Sequence, residues 1–187
     1  MSVSKNIVVL SGSPRKGGNT DKLAAAFVEG VQSAGKNVTL FRVADMKIGG
    51  CLACNGCEKE GVMCVQKDDM LKILDALLCA DALVFASPVY YFSVSAQIKL
   101  AIDRIYALSR ICDKNGTQIT IKRAALLMPC EDTWPETAAG AHEIVDRMCD
   151  YYKWENAGSI IVTGVLDPGE IDGRDELEKA RELGRKI

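Results

Sequence analysis

Lys5-Asn6-Ile7-Val8-Val9-Leu10-Ser11-Gly12-Ser13-Pro14-Arg15-Lys16-Gly17-Gly18-Asn19-Thr20 is the stretch that decides the fold. Its first part, Lys5–Leu10, is a short β-branched run and reads as a buried strand. Beyond the small polar residues that follow, Leu23, Phe27, Val31 and Ala34 recur at helical spacing, with Asn19 or Thr20 as the expected N-cap. Strand, small polar loop and helix in that order present backbone N–H groups to an anion at a helix N-terminus. Two named phosphate loops do not fit. Gly12 and Gly17 have the spacing of a Walker A loop, but Gly18 stands where its lysine must be. The dinucleotide pattern G-x-G-x-x-G is not met either. What remains is a loop of hydroxyls, amides and N–H groups with Arg15 and Lys16 beside it, which suits a phosphate monoester without magnesium. The plainer reading is an ordinary βα turn.

The rest of the chain repeats the alternation. Asn37–Val43, Asp81–Ala86, Ile121–Met128 and a run anchored by Ile160–Val162 read as strands. Helices are expected between and after them, over Ala96–Arg110, Pro135–Tyr152 and Asp175–Leu183. A further helix, capped by Asp68 or Asp69, carries the apolar stripe Met70, Ile73, Leu74, Leu77 and Leu78. Ile98, Ile102, Ile105 and Tyr106 are expected to face inward. Asp113-Lys114-Asn115-Gly116 reads as a turn. This order argues an α/β fold, one parallel sheet with helices on both faces. With no repeat, low-complexity tract or linker, residues 1–187 are expected to form a single domain.

Two loops carry chemistry. Cys51-Leu52-Ala53-Cys54-Asn55-Gly56-Cys57 is followed by Cys64, a C-x2-C-x2-C-x6-C spacing within a cysteine-rich loop at about 50–67. Thiolates at this density suit a soft metal or an iron–sulfur cluster. Zinc sites use two x2-type pairs set further apart, whereas three consecutive cysteines at x2 follow the pattern of bacterial ferredoxins. Cluster, zinc and incidental thiols remain three readings, and the spacing favours them in that order. The second loop, Ser87-Pro88-Val89-Tyr90-Tyr91-Phe92-Ser93, lies at the C-terminal end of a strand, where open α/β sheets bind ligands. Its aromatic run can wall a flat ring or simply pack inward.

Composition narrows the classes. The net charge of −2 gives no reason to expect nucleic acid or an anionic membrane surface. No apolar run is long enough for a membrane span, and no signal-peptide core follows Met1. A cytoplasmic setting is expected, where eight cysteines point to metal or redox chemistry rather than disulfides. His142 is the single histidine, which argues against histidine-rich metal sites. Cys79, Cys112 and Cys149 are isolated and read as small apolar residues.

Three segments together resemble one family. They are Gly12-Ser13-Pro14-Arg15 through Gly18-Asn19-Thr20, Ser87-Pro88-Val89-Tyr90 leading to Lys99 and Asp103-Arg104, and the cysteine motif with Asp68-Asp69-Met70. They look like the flavodoxin-like NADPH-dependent FMN reductases and, more narrowly, the iron–sulfur flavoproteins. The resemblance implies a flavodoxin-like three-layer sandwich with five parallel strands in the order 2-1-3-4-5 and FMN at the switch point. It implies Ser11, Ser13, Pro14, Arg15, Asn19 and Thr20 about the phosphate, and Pro88, Val89, Tyr90, Tyr91 and Phe92 beside the ring, with Pro129 and Cys130 as third-loop candidates. Cys51, Cys54, Cys57 and Cys64 are the implied ligands of a cluster, expected as 4Fe–4S and open to loss in an aerobic preparation. It further implies NAD(P)H as donor, a small-molecule or protein redox partner, and a homodimer or homotetramer. No side-chain acid or base is required by such chemistry, so no catalytic residue is expected. The rival readings are a cluster-free NAD(P)H-dependent FMN or quinone reductase, a flavodoxin-like electron carrier, and a zinc-stabilised binding module.

Overall fold

The computed structural model describes residues 5–59 and 61–187. Five strands, β1 (Asn6–Ser11), β2 (Asn37–Arg42), β3 (Ala82–Ala86), β4 (Arg123–Pro129) and β5 (Glu155–Val162), pair in parallel in the order β2-β1-β3-β4-β5. This is the expected flavodoxin-like order. β1 and β3 are covered on both faces and are correspondingly apolar, β1 over Ile7–Leu10 and β3 throughout. Their side chains alternate. Val8, Leu10, Leu83 and Phe85 pack beneath α2 (Met70–Leu78), α3 (Ala96–Arg104), α4 (Tyr106–Asn115) and α5 (Ala139–Tyr152). Ile7, Val9, Val84 and Leu127 pack on the other face beneath α1 (Asn19–Ser33) and α6 (Asp175–Lys186). On that face a Cβ at Gly30 would strike the carbonyl of Arg181, and one at Gly184 the carbonyl of Phe27. Both glycines cost helix propensity, and in return the two helix backbones touch.

Several local expectations need correction. Neither Asn19 nor Thr20 caps α1. Gly18 does so in an extended conformation, and the Asn19 side chain is committed elsewhere. Ala34 is exposed because it follows the last turn, while Leu23, Phe27 and Val31 are fully buried. The Asp68 carboxylate accepts from the Met70 amide at the start of α2, whereas Asp69, the N-cap by position, makes no side-chain cap bond. The helix expected over Ala96–Arg110 is two helices that together run to Asn115, where Gly116 takes the left-handed conformation. At Ile105 the turn tightens: Leu108 N donates to Ile105 O, three residues back, at 2.8 Å. That shortened turn advances the face. Ile105 stays in the core, and Tyr106 swings outward, where the Arg110 guanidinium lies 5.0 Å from its ring centre.

Backbone hydrogen bonds run past the strand ends and fix the loops at the C-terminal edge. Gly12 N donates to Ala86 O (2.8 Å), Ser87 N to Leu127 O (3.0 Å), Val89 N to Pro129 O (3.2 Å) and Cys130 N to Val162 O (2.8 Å). Ser95 ties two of these loops together. Its hydroxyl donates to Gly12 O at 2.7 Å and accepts from Ile98 N at the start of α3, and its own amide donates to the Ser87 hydroxyl at 2.9 Å.

Candidate functional site

A cleft of about 370 Å³ opens at this sheet edge, lined by residues after β1, β3, β4 and β5. Ser13, Arg15, Gly18, Asn19 and Thr20 form its polar end at the N-terminus of α1. Pro88, Val89, Tyr90, Tyr91, Pro129 and Cys130 form its flatter walls. Ser11 and Pro14 stand outside the lining. The Ser11 hydroxyl donates to Asp21, which in turn pairs with Arg42. Arg15 Nη1 donates to Leu166 O at 2.6 Å, and the Asn19 amide accepts from Gly169 N and donates to Asp167 O, each at 3.0 Å. Arg15 and Asn19 therefore hold the loop after β5 against α1. The Ser13 hydroxyl closes a local turn, accepting from Arg15 N at 3.2 Å. The groups left to face an anion at this end are the Thr20 hydroxyl and the first-turn amides of α1. Val165, Leu166 and Glu131 complete the lining and were not expected. The Pro168-Gly169 turn signal after the fifth strand was the clue to the first two.

Tyr90–Ser93 forms a tight hairpin, with Tyr90 N donating to Ser93 O at 2.9 Å and Ser93 N to Tyr90 O at 3.1 Å. Its two central residues, Tyr91 (φ 46°) and Phe92 (φ 63°), are both left-handed, a conformation that such turns normally fill with Asn-Gly. Two aromatics held there at a conformational cost leave Tyr91 97% and Phe92 60% exposed. The hairpin rests on α5, where a Cβ at Gly140 would strike the carbonyl of Phe92. Phe92 lines a second, more open cleft beside the first, shared with Val89, Tyr91, Cys130, Glu131 and Thr137. The Cys130 Sγ donates to Asp132 O at 3.4 Å, and burial followed by the nearby Asp132 pushes its thiol up, keeping it neutral.

The cysteine loop occupies a separate place, over α3 and α4. Cys51, Cys54, Cys57 and Cys64 line one cavity of about 50 Å³ together with Arg104 and Tyr106. The loop bends through left-handed Ala53 and Asn55. Its base is stapled: Lys47 N donates to Asp69 (2.8 Å), Gly49 N to Asp68 (2.9 Å) and the Gln66 amide to Gly50 O (2.9 Å). Lys114 of α4 holds the far side through Lys59 O (2.6 Å) and Val62 O (2.8 Å). Burial raises the Cys57 thiol, and the neighbouring Cys64 and Cys51 add to the effect. Among the described residues, no three His, Cys, Asp or Glu side chains are gathered tightly enough to hold a metal ion as they stand. In chemistry the donor set fits a thiolate-bound centre, and all four thiols line the same cavity. Of the isolated cysteines, Cys112 and Cys149 are buried and Cys79 is exposed. Burial pushes the Cys149 thiol up to about 11.

A parallel sheet of this order, with a helix N-terminus and a cleft at its switch point, defines a flavodoxin-like ligand-binding fold. A family model for NADPH-dependent FMN reductases matches residues 5–132, and the chain belongs to that family. It is 37% identical over 195 residues to an iron–sulfur flavoprotein of Methanocaldococcus jannaschii, covering 97% of this chain and 94% of that one. An iron–sulfur flavoprotein of Archaeoglobus fulgidus is 33% identical over 183 residues, 96% of this chain and 77% of its own length. The fold matches an NAD(P)H:quinone oxidoreductase from Methanothermobacter marburgensis with a TM-score of 0.73 at 21% identity, covering 98% of this chain and 97% of that one. An azoreductase from Bacillus anthracis matches with 0.72 at 20% identity, over 98% and 100%. The chain is thus an FMN-dependent oxidoreductase of the iron–sulfur flavoprotein type. Among the described residues no helix is long and apolar enough to cross a membrane.

Proposed function

We propose that residues 1–187 act as one domain that binds FMN in the cleft at the end of the sheet and a 4Fe–4S cluster in the cysteine loop. FMN, when bound, exchanges electrons in pairs or singly, which lets a two-electron donor such as NAD(P)H serve a one-electron centre. The observation that carries the reading is the pairing of one cleft, polar at the α1 N-terminus and flat-walled elsewhere, with one cavity lined by four thiols. Thr20 and the first-turn amides of α1 bind the phosphate, the Ser13 hydroxyl joining them on release from Arg15 N, with Arg15 and Asn19 holding the β5–α6 loop that closes the site. Pro88, Val89, Tyr90 and Tyr91 on one side and Pro129 and Cys130 on the other orient the ring. Tyr91 and Phe92 shield it from water and guide a small-molecule acceptor. Cys51, Cys54, Cys57 and Cys64 are the cluster ligands. α3 starts at Ser95, bonded to the phosphate loop, and ends at Arg104 under the cysteines, a span of roughly 14 Å at 1.5 Å per residue. The protein works in the cytoplasm as a homodimer or homotetramer.

Anaerobic reconstitution of the FMN-loaded protein with iron and sulfide tests this. About four irons per chain are expected for such a cluster, with most of them lost in Cys57→Ser and FMN retained in both. Equal iron in the two proteins refutes the cluster and leaves a cluster-free FMN reductase.

A further inference from the structure

The buried cation beneath the cysteine loop has no part in the chemistry described so far. Arg104 is 2% exposed, at the last residue of α3. Its Nη1 donates to Asp68 Oδ2 at 2.5 Å and to Gly49 O at 3.2 Å, and its Nη2 donates to Cys64 Sγ at 3.3 Å. Its Nε is buried without a partner among the described residues, and the side chain lines the same cavity as the four thiols. A buried guanidinium is costly unless its surroundings compensate it. Here one carboxylate, one carbonyl and one sulfur do so, and the Nε–H is left without a partner.

The partners are arranged with a purpose that packing alone does not require. Gly49 lies at the entrance of the cysteine loop, and Cys64 and Asp68 at its exit. One planar fork therefore clasps both ends of the loop and touches one of its sulfurs. A point-charge ammonium could not span the three partners. Four thiolates around a metal or cluster concentrate negative charge, and hydrogen bonds to their sulfurs and nearby charges tune such a centre.

We infer that Arg104 is a positioning residue for the centre held by Cys51, Cys54, Cys57 and Cys64: it sets Cys64 in place, fixes the loop closed together with Asp68, and supplies the cation that favours the reduced, more negative state. This rests on the reading of the cysteine loop as a cluster site. The two members of the clasp act alike on retention and oppositely on charge. Removing either opens the loop. Removing Arg104 takes away a positive charge and lowers the reduction potential, whereas removing the Asp68 charge raises it.

The test uses anaerobically reconstituted, FMN-loaded protein in four forms: unmutated, Arg104→Gln, Arg104→Lys and Asp68→Asn. Iron loss to a chelator and the midpoint potential from a paramagnetic-resonance redox titration are measured, with FMN content as the control for folding. Iron affinity, read from the chelator concentration that strips half the iron, is expected to fall about 10–100-fold in Arg104→Gln and in Asp68→Asn, the range found when outer-shell partners of metal ligands are removed. The potential is expected to fall in Arg104→Gln, to rise in Asp68→Asn, and to be largely restored in Arg104→Lys, which keeps the charge without the fork. Potentials that move the same way in Arg104→Gln and Asp68→Asn, or not at all, overturn the inference while leaving the cluster in place. If Arg104→Gln loses its FMN, Asp68→Asn and Arg104→Lys carry the test: a potential raised in the first and near the unmutated value in the second supports the inference, and no rise in Asp68→Asn overturns it. An unmutated protein that takes up no iron overturns both this inference and the cluster reading, an outcome distinct from the first.

Discussion

Ser95→Ala removes one oxygen atom and tests how the cleft is held together. The Ser95 side chain is fully buried, and its hydroxyl has two duties. It accepts from Ile98 N at a long 3.5 Å, capping α3, and it donates to Gly12 O at 2.7 Å. Loss of a serine cap costs about 1 kcal/mol, here at the lower end because of the length. Leaving the Gly12 carbonyl without its hydroxyl partner costs about 1–3 kcal/mol more. The sum is about 2–4 kcal/mol, with only a small cavity term because a single oxygen is removed. For a chain of this size each kcal/mol lowers Tm by about 2–4 °C, so a drop of roughly 4–16 °C is expected. Urea unfolding of the FMN-free protein, followed by far-UV circular dichroism, isolates the effect from ligand linkage. FMN affinity should fall as well, because the bond joins the phosphate loop to the loop carrying Pro88 and Tyr90. A stability loss under about 0.5 kcal/mol with unchanged FMN affinity would refute the idea that this hydroxyl braces the cleft.

Thr20→Ala should weaken FMN binding by about 1 kcal/mol or more, roughly five-fold in Kd, through loss of a hydrogen bond to a charged group; fluorescence titration reads it, and a tighter grip on FAD than on FMN would count against the phosphate-monoester reading. Phe92→Gly relieves a left-handed conformation that costs an L-residue about 1–2 kcal/mol, offset by glycine's greater freedom when unfolded. Its Tm should hold or rise while flavin fluorescence or the KM of an added acceptor changes, and a marked destabilisation would show the ring to be core instead. The Asp68 carboxylate is partly buried, which works against its charge, but bonds from Arg104 and the Gly49 and Met70 amides outweigh that and hold it below the usual carboxylate range. A lowered pKa contributes stability above the unfolded value of about 3.9 and loses it as pH falls through the folded value. Pepsin digestion over pH 5 to 2 should therefore cut residues 50–67 increasingly as pH drops, and Asp68→Asn should flatten that dependence.

The strands and both loops at the sheet edge were legible because each rests on local pattern, whereas the strand order followed from the family resemblance. Apolar runs mark β1 and β3, and the change from period two to helical spacing marks α1. Leu23, Phe27 and Val31 were found in the core for the same reason. Most of the misses share a different cause, a partner far along the chain, and one comes from a local irregularity. Asn19 resembles a cap from its neighbours alone, yet its amide answers to Asp167 and Gly169. Arg104 resembles a solvated end of a helix until Asp68 and Cys64 are brought beneath it. Tyr106 fits an inward stripe only if the helix is regular, and one shortened turn at Ile105 moves it out. Ser95 reads as an ordinary cap, and nothing local tells that its hydroxyl also reaches Gly12.

The contact between Gly30 of α1 and Gly184 of α6 has a consequence for synthesis of the chain. α1 ends at Ser33 and α6 begins at Asp175, so about 142 residues separate them. At roughly 5–20 residues per second, a ribosome takes about 7–28 s to deliver the second helix after completing the first. During that interval the groove of α1 around Phe27 and Val31 has no covering helix. The nascent chain must wait with this surface open, and it is then that a chaperone would find most to hold.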